Sequence, residues 1–141
     1  MLHLYALPLR VRYADSDAQG HVFFANYLTY ADEGVTGYLA EVGVPLAKLE
    51  SAGLDIVYAA TSCQHRGSAH VGDLLMVHTT ISRFGRTSLT ADVQVCLEDR
   101  VLAEVELTIV VVSRHALEPT PVPVALKEAV TRYEGADASR A

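Results

Sequence analysis

Asn26-Tyr27-Leu28-Thr29-Tyr30-Ala31-Asp32-Glu33-Gly34-Val35-Thr36-Gly37-Tyr38-Leu39-Ala40-Glu41-Val42 carries its apolar residues at Tyr27, Leu28, Ala31, Val35, Tyr38, Leu39 and Val42. Steps of three and four residues are the repeat of a helix with one buried stripe. Asn26 supplies an N-cap, and Gly43 with Pro45 ends the pattern, so the spacing predicts a helix of roughly four to five turns. Gly34 and Gly37 lie inside it, each costing about 1 kcal/mol against Ala. Their missing side chains point to a sheet packed closely against the helix, which is wrapped rather than laid on a surface.

Working outward, Leu9-Arg10-Val11-Arg12-Tyr13 alternates apolar and basic residues, which predicts a strand, and Asp15-Ser16-Asp17-Ala18-Gln19-Gly20 ends it with turn formers. Downstream, the period changes to two. Ile56 to His65, Leu74 to Phe84, Thr87 to Glu98 and Val101 to Ser113 are rich in Val, Ile, Thr and Leu and are separated by short turns. The third is clearest, with Leu89, Ala91, Val93, Val95 and Leu97 on one face and Thr90, Asp92, Gln94, Cys96 and Glu98 on the other. Pro119, Pro121 and Pro123 then block pairing, Val124 to Tyr133 reads as a short helix, and residues 135–141 read as a frayed tail. Strand, helix and four strands make an α+β chain, one domain over 1–134, with a five-stranded antiparallel sheet wrapped around one long central helix. Long apolar strands leave sheet edges exposed, and Leu107 to Val112 is apolar on both faces, so a homodimer or homotetramer is expected.

Composition narrows the function. The 141 residues carry a net charge of −6, which argues against nucleic acid, whose binding needs clustered Lys and Arg. No run of about 18 apolar residues occurs and no basic leader opens the chain, so neither membrane nor export is expected. Cys63 and Cys96 are far apart, which fits reduced thiols in the cytoplasm. His65, His70 and His78 form no ligand set at strand spacing, and no metal is expected.

The chemistry concentrates in Tyr13-Ala14-Asp15-Ser16-Asp17-Ala18-Gln19-Gly20-His21-Val22-Phe23-Phe24-Ala25-Asn26-Tyr27. This stretch resembles the signature of the 4-hydroxybenzoyl-CoA thioesterase family: an aromatic, Asp-x-Asp-x-x-Gly, then Val-aromatic-x-x-Asn-Tyr entering the central helix. The resemblance extends from about Leu9 to Ser113 and implies a hot-dog fold and hydrolysis of an acyl-coenzyme A thioester. It implies Asp17 as nucleophile or general base, Tyr13 beside it, and the backbone N–H of Phe24 facing the thioester carbonyl. Gly20, His21 and Tyr27 would line the substrate pocket. Phe24 stands where the short acyl-CoA branch commonly carries His and the hydroxybenzoyl branch an aromatic, which favours aromatic or medium acyl groups. In Arg83-Phe84-Gly85-Arg86-Thr87-Ser88, residues Arg86, Thr87 and Ser88 match positions that meet coenzyme A phosphates, and Arg66 adds a second cation. No cofactor is implied, because coenzyme A is part of the substrate.

Physical chemistry agrees with that reading. A carboxylate ahead of a helix N-terminus is favoured in its charged form and can attack a thioester or deprotonate water. An N–H of the first helical turn acts as an oxyanion donor. An Asp-x-Asp pair alone is ordinary turn chemistry, and Arg83 and Arg86 alone are ordinary hairpin charges; the flanking pattern is what turns Asp17 toward catalysis. Cys63 and His65 share a strand face, yet a buried Cys is usually inert. An acyl-carrier-protein thioesterase and a non-catalytic acyl-binding module of the same fold are the alternatives.

Overall fold

The computed structural model describes residues 4–138. Strand β1 (Tyr5–Arg10) is followed by a 3-10 turn (Tyr13–Asp15), helix α1 (Asn26–Glu41) and a short helix α2 (Leu46–Ser51). Strands β2 (Leu54–His65), β3 (Leu74–Phe84), β4 (Ser88–Leu97) and β5 (Arg100–Ser113) and helix α3 (Val124–Ala138) complete the chain. All strand pairs are antiparallel, in the order β1-β3-β4-β5-β2. The link through α1 and α2 therefore carries the chain from one edge of the sheet to the other.

Alternation decides which face α1 covers. Leu75, Val77 and Ile81 of β3, Leu89, Ala91, Val93 and Val95 of β4 and Ala103 to Val111 at odd positions of β5 are buried with Tyr27, Tyr30, Ala31, Val35, Tyr38 and Leu39 of α1. The two helical glycines behave as expected of a wrapped helix. A Cβ on Gly34 would stand 2.5 Å from Thr79 Oγ1 and 2.8 Å from Val77 Cγ1, and one on Gly37 would collide with the Tyr5 hydroxyl. Helix α3 closes the far end, burying Leu126, Ala129 and Val130, and the Tyr38 hydroxyl donates to Glu134 at 2.7 Å.

Four local expectations change. The first strand lies earlier than Leu9–Tyr13: its register runs from Tyr5↔Thr79 to Arg10↔Leu74, and Tyr13 falls in the 3-10 turn. Pro8 hides it in the sequence, a residue tolerated because β1 is an edge. Asn26 is the first helical residue rather than the cap, which is Ala25; its side chain donates instead to the Asp15 carbonyl at 2.9 Å. Helix α2 follows Pro45, in a stretch to which the sequence pattern assigns no element. Helix α3 runs to Ala138, past the Gly135 at which a tail was expected; residues 139–141 of that expected tail lie outside the described residues.

Candidate active site

One end of the sheet gathers the ends of β1 (Arg10), β2 (His65) and β4 (Leu97) and the starts of β3 (Leu74) and β5 (Arg100). The N-terminus of α1 points there, and residues 11–25 form the loop that enters it. That loop is built around Asp15, which is 5 % exposed. Its carboxylate accepts from the Arg12 backbone N–H at 3.0 Å, the Arg12 guanidinium at 2.9 Å and the Tyr30 hydroxyl at 3.0 Å. Its carbonyl accepts from Phe23 N–H and the Asn26 amide, both at 2.9 Å. Burial works against the Asp15 charge, but the hydrogen bonds from Arg12 and Tyr30 outweigh it and hold the carboxyl below the usual carboxylate range. Burial, and then the same contact, push the Tyr30 phenol well above its ordinary value. The sequence reading gave Asp15 only to turn formation; it is the anchor of the whole loop.

From this anchor the chain makes a tight hairpin. Asp17 N–H donates to the His21 carbonyl at 2.8 Å, Gly20 N–H to the Asp17 carbonyl at 3.1 Å, and Gly20 takes a φ of +88°, a conformation natural to glycine. Asp17 is half-buried, its Oδ1 accepting from Gln19 N–H at 2.8 Å and its Oδ2 standing 4.0 Å from His21 Nδ1. The segment after β2 clamps the hairpin from outside: Val22 N–H donates to the Ala69 carbonyl at 2.9 Å, and Ala69 N–H to the Tyr27 hydroxyl at 3.1 Å. Tyr27 is thus a buried brace, its ring edge-on to His65.

Phe24 lies just before α1 with its ring 65 % exposed against Phe23. Phe23 N–H, Asn26 N–H and Tyr27 N–H all find acceptors, whereas Phe24 N–H and its neighbour Ala25 N–H have none among the described residues. An unpaired N–H at a helix start, on the same loop as a half-exposed carboxylate, is the arrangement that acyl transfer chemistry uses.

The β2 edge runs beside this loop. Its helix-side residues Tyr58, Thr61, Cys63 and His65 stay largely uncovered. Cys63 Sγ lies 3.8 Å from His65 Nδ1, and burial pushes the thiol up, away from the thiolate a nucleophile needs. Farther along, the Tyr58 hydroxyl donates to Asp32 of α1 at 2.5 Å. The sequence reading passed over this pair, which only the crossing of α1 and β2 brings together.

The remaining expected site residues are distributed as follows. Tyr13 is 84 % exposed in the 3-10 turn, and its carbonyl accepts from Ser16. Arg66 sits at the Asp17 end of the sheet, held by Glu104 at 2.6 Å. Arg86, Thr87 and Ser88 form the β3–β4 turn, closed by Gly85 N–H on the Ser88 carbonyl at 2.8 Å. That turn is at the opposite end of the sheet, the length of β3 away, about 30 Å at strand rise. Within one chain it does not reach Asp17. Among the described residues no helix is long and apolar enough to cross a membrane.

Comparison with known proteins bears on this geometry. Residues 19–104 match the model of the Thioesterase superfamily. A putative esterase of Aquifex aeolicus is 30 % identical over 67 % of this chain and 74 % of its own length. The acyl-CoA thioesterase YbgC of Haemophilus influenzae is 26 % identical over 89 % of this chain and 93 % of its own. Among solved structures, a 1,4-dihydroxy-2-naphthoyl-CoA thioesterase from Synechocystis superposes with a TM-score of 0.83 at 22 % identity, covering 92 % of this chain and 97 % of that one.

Proposed function

The chain belongs to the thioesterase superfamily and has its hot-dog fold, which makes it a thioester hydrolase, and we propose that it cleaves acyl-coenzyme A to the free acid and coenzyme A. Asp17 acts as nucleophile or general base, and the Phe24 N–H receives the negative charge that forms on the thioester oxygen. The observation that carries this reading is the pairing, on one rigid loop, of a half-buried carboxylate with a backbone N–H that has no other acceptor. A thioester carbonyl is electrophilic enough for such a small apparatus, and an oxyanion donor of this kind is worth about 10²–10³ in rate.

An aromatic or medium acyl group suits the surroundings. Phe23 and Phe24 offer exposed aromatic surface beside His65 of β2, and the Asp32–Tyr58 pair offers a polar end to hydrogen-bond a hydroxyl on an aryl ring. The working unit is a homodimer or homotetramer. The support for that is the free β2 edge of twelve residues with Val57 and Tyr58 exposed, and the position of Arg86, Thr87 and Ser88, which can meet the nucleotide phosphates of a substrate held at Asp17 only from a second copy. Arg66 lies on the near side and adds to the same clamp when it leaves Glu104. Coenzyme A enters within the substrate, no separate cofactor takes part, and two free thiols, Cys63 and Cys96, fit the reducing cytoplasm.

The test is hydrolysis of benzoyl-, 4-hydroxybenzoyl-, phenylacetyl-, acetyl-, octanoyl- and palmitoyl-CoA, followed by chromatography of thioester loss. Turnover fastest with an aryl or octanoyl member is the expected result. Inactivity toward all six would move the carrier-protein or binding-module reading ahead.

A further inference from the structure

The Asp17 hairpin faces more than solvent. His21 and His70 form an isolated antiparallel bridge, their rings meet edge-on with centroids 5.6 Å apart, and beyond them His70 Nδ1 lies 4.0 Å from Asp73 Oδ2, which also accepts the His70 backbone N–H at 2.9 Å. Asp17, His21, His70 and Asp73 therefore stand in a row, carboxylate to imidazole to imidazole to carboxylate. The row is fixed at both ends by the main chain. Asp17 and His21 face each other because Asp17 N–H is bonded to the His21 carbonyl, and Asp73 is tied to β1's exit by Val11 N–H on its carbonyl at 2.9 Å. Arg10 caps the same segment, donating to the Gly72 carbonyl at 2.6 Å.

The two oxygens of Asp17 are thereby distinguished. Oδ1 is held by Gln19 N–H, while Oδ2 looks toward His21 Nδ1. We propose that His21 is a positioning residue for Asp17, accepting through Oδ2 the proton that the carboxylate removes from water, with His70 and Asp73 fixing the imidazole from behind. This rests on Asp17 being the catalytic carboxylate.

The proton balance closes. Water adds to the thioester carbon and its proton moves by way of Asp17 to His21 Nδ1. The C–S bond then breaks, and the proton returns from His21 by way of Asp17 to the departing thiolate, while the second water hydrogen leaves with the acid. A 4 Å gap at Asp17 shortens to hydrogen-bond length with a small turn of either side chain, both of which are partly exposed.

The experiment compares kcat and KM of wild type, Asp17→Asn, His21→Ala, His21→Gln and His70→Gln on the best substrate of the six, with and without added imidazole. His21→Ala is expected to lose about 10- to 100-fold in kcat with KM within twofold, and added imidazole to restore at least threefold. His21→Gln, which keeps a polar side chain that cannot take a proton, is expected to show the same loss without rescue, and His70→Gln a smaller one. If both His21 variants hold kcat within twofold, or lose it without rescue of the Ala form, the proposal is overturned. If Asp17→Asn matches wild type, the carboxylate reading itself falls, and the two failures are told apart in one set of assays.

Discussion

Replacing Asp15 with Ala removes the anchor of the site loop without touching Asp17 or Phe24. The Tyr30 hydroxyl, on a residue only 3 % exposed, loses its acceptor, and so does the Arg12 backbone N–H. Leaving a buried donor unpaired costs about 1–3 kcal/mol, and a lost backbone contact to a charged group about as much; the exposed Arg12 guanidinium adds little. Relief of the buried carboxylate's own desolvation offsets part of this, so the expected net loss is about 3 kcal/mol. For 141 residues, an unfolding entropy of roughly 2.1 cal/mol/K per residue converts this to a Tm lower by about 10 °C. Scanning calorimetry at matched protein concentration reads it directly. The Asp15 carboxyl is depressed in the folded chain, so its contribution is present above the unfolded value near about 3.9 and is lost as pH falls through the lower folded value. The gap between wild type and variant is therefore full at neutral pH and narrows in the acid range below about pH 4. A fall of less than about 3 °C at pH 7 would refute the anchoring argument.

Other substitutions separate tight from loose contacts. Gly34→Ala drives a methyl into the fully buried Thr79 and Val77; overpacking of about 2 kcal/mol against about 1 kcal/mol of helix propensity leaves a net loss of about 1 kcal/mol in urea unfolding. Gly37→Ala meets only the far end of the Tyr5 side chain, so its unfolding midpoint is expected to stay close to wild type. Cys63→Ala keeps kcat within twofold, since burial holds the thiol protonated; a 100-fold loss would instead make it the nucleophile. Arg86→Ala raises KM several-fold at nearly constant kcat, and a mixture of Arg86→Ala and Asp17→Asn copies recovers activity above either alone if the clamp and the carboxylate come from different copies.

Much of this architecture was legible because it rests on periodic burial. The three- and four-residue steps from Tyr27 to Val42 and the alternation from Leu89 to Leu97 each report one covered face, and Gly34 signals a closely packed sheet, whose strand at that point is β3. What escaped lacks a period. Strand β1 is short and contains Pro8, and α2 has six residues, too few for a repeat. Asp15 and Asp17 look alike in sequence, and only depth separates the buried anchor from the half-exposed carboxylate. The row from Asp17 to Asp73 depends on a bridge between loops about fifty residues apart, and the distance from Asp17 to Arg86 is set by the length of β3, which no local motif records.

The most direct test of the central claim is kcat/KM for Asp17→Asn against wild type on the best acyl-CoA, with both proteins shown to melt at the same temperature. Asn keeps the size and the Gln19 contact of Asp17 but can neither attack nor take a proton, so the account predicts a loss of about 100-fold or more. A variant that retains more than a tenth of wild-type kcat/KM would contradict it and place the chemistry elsewhere in the site.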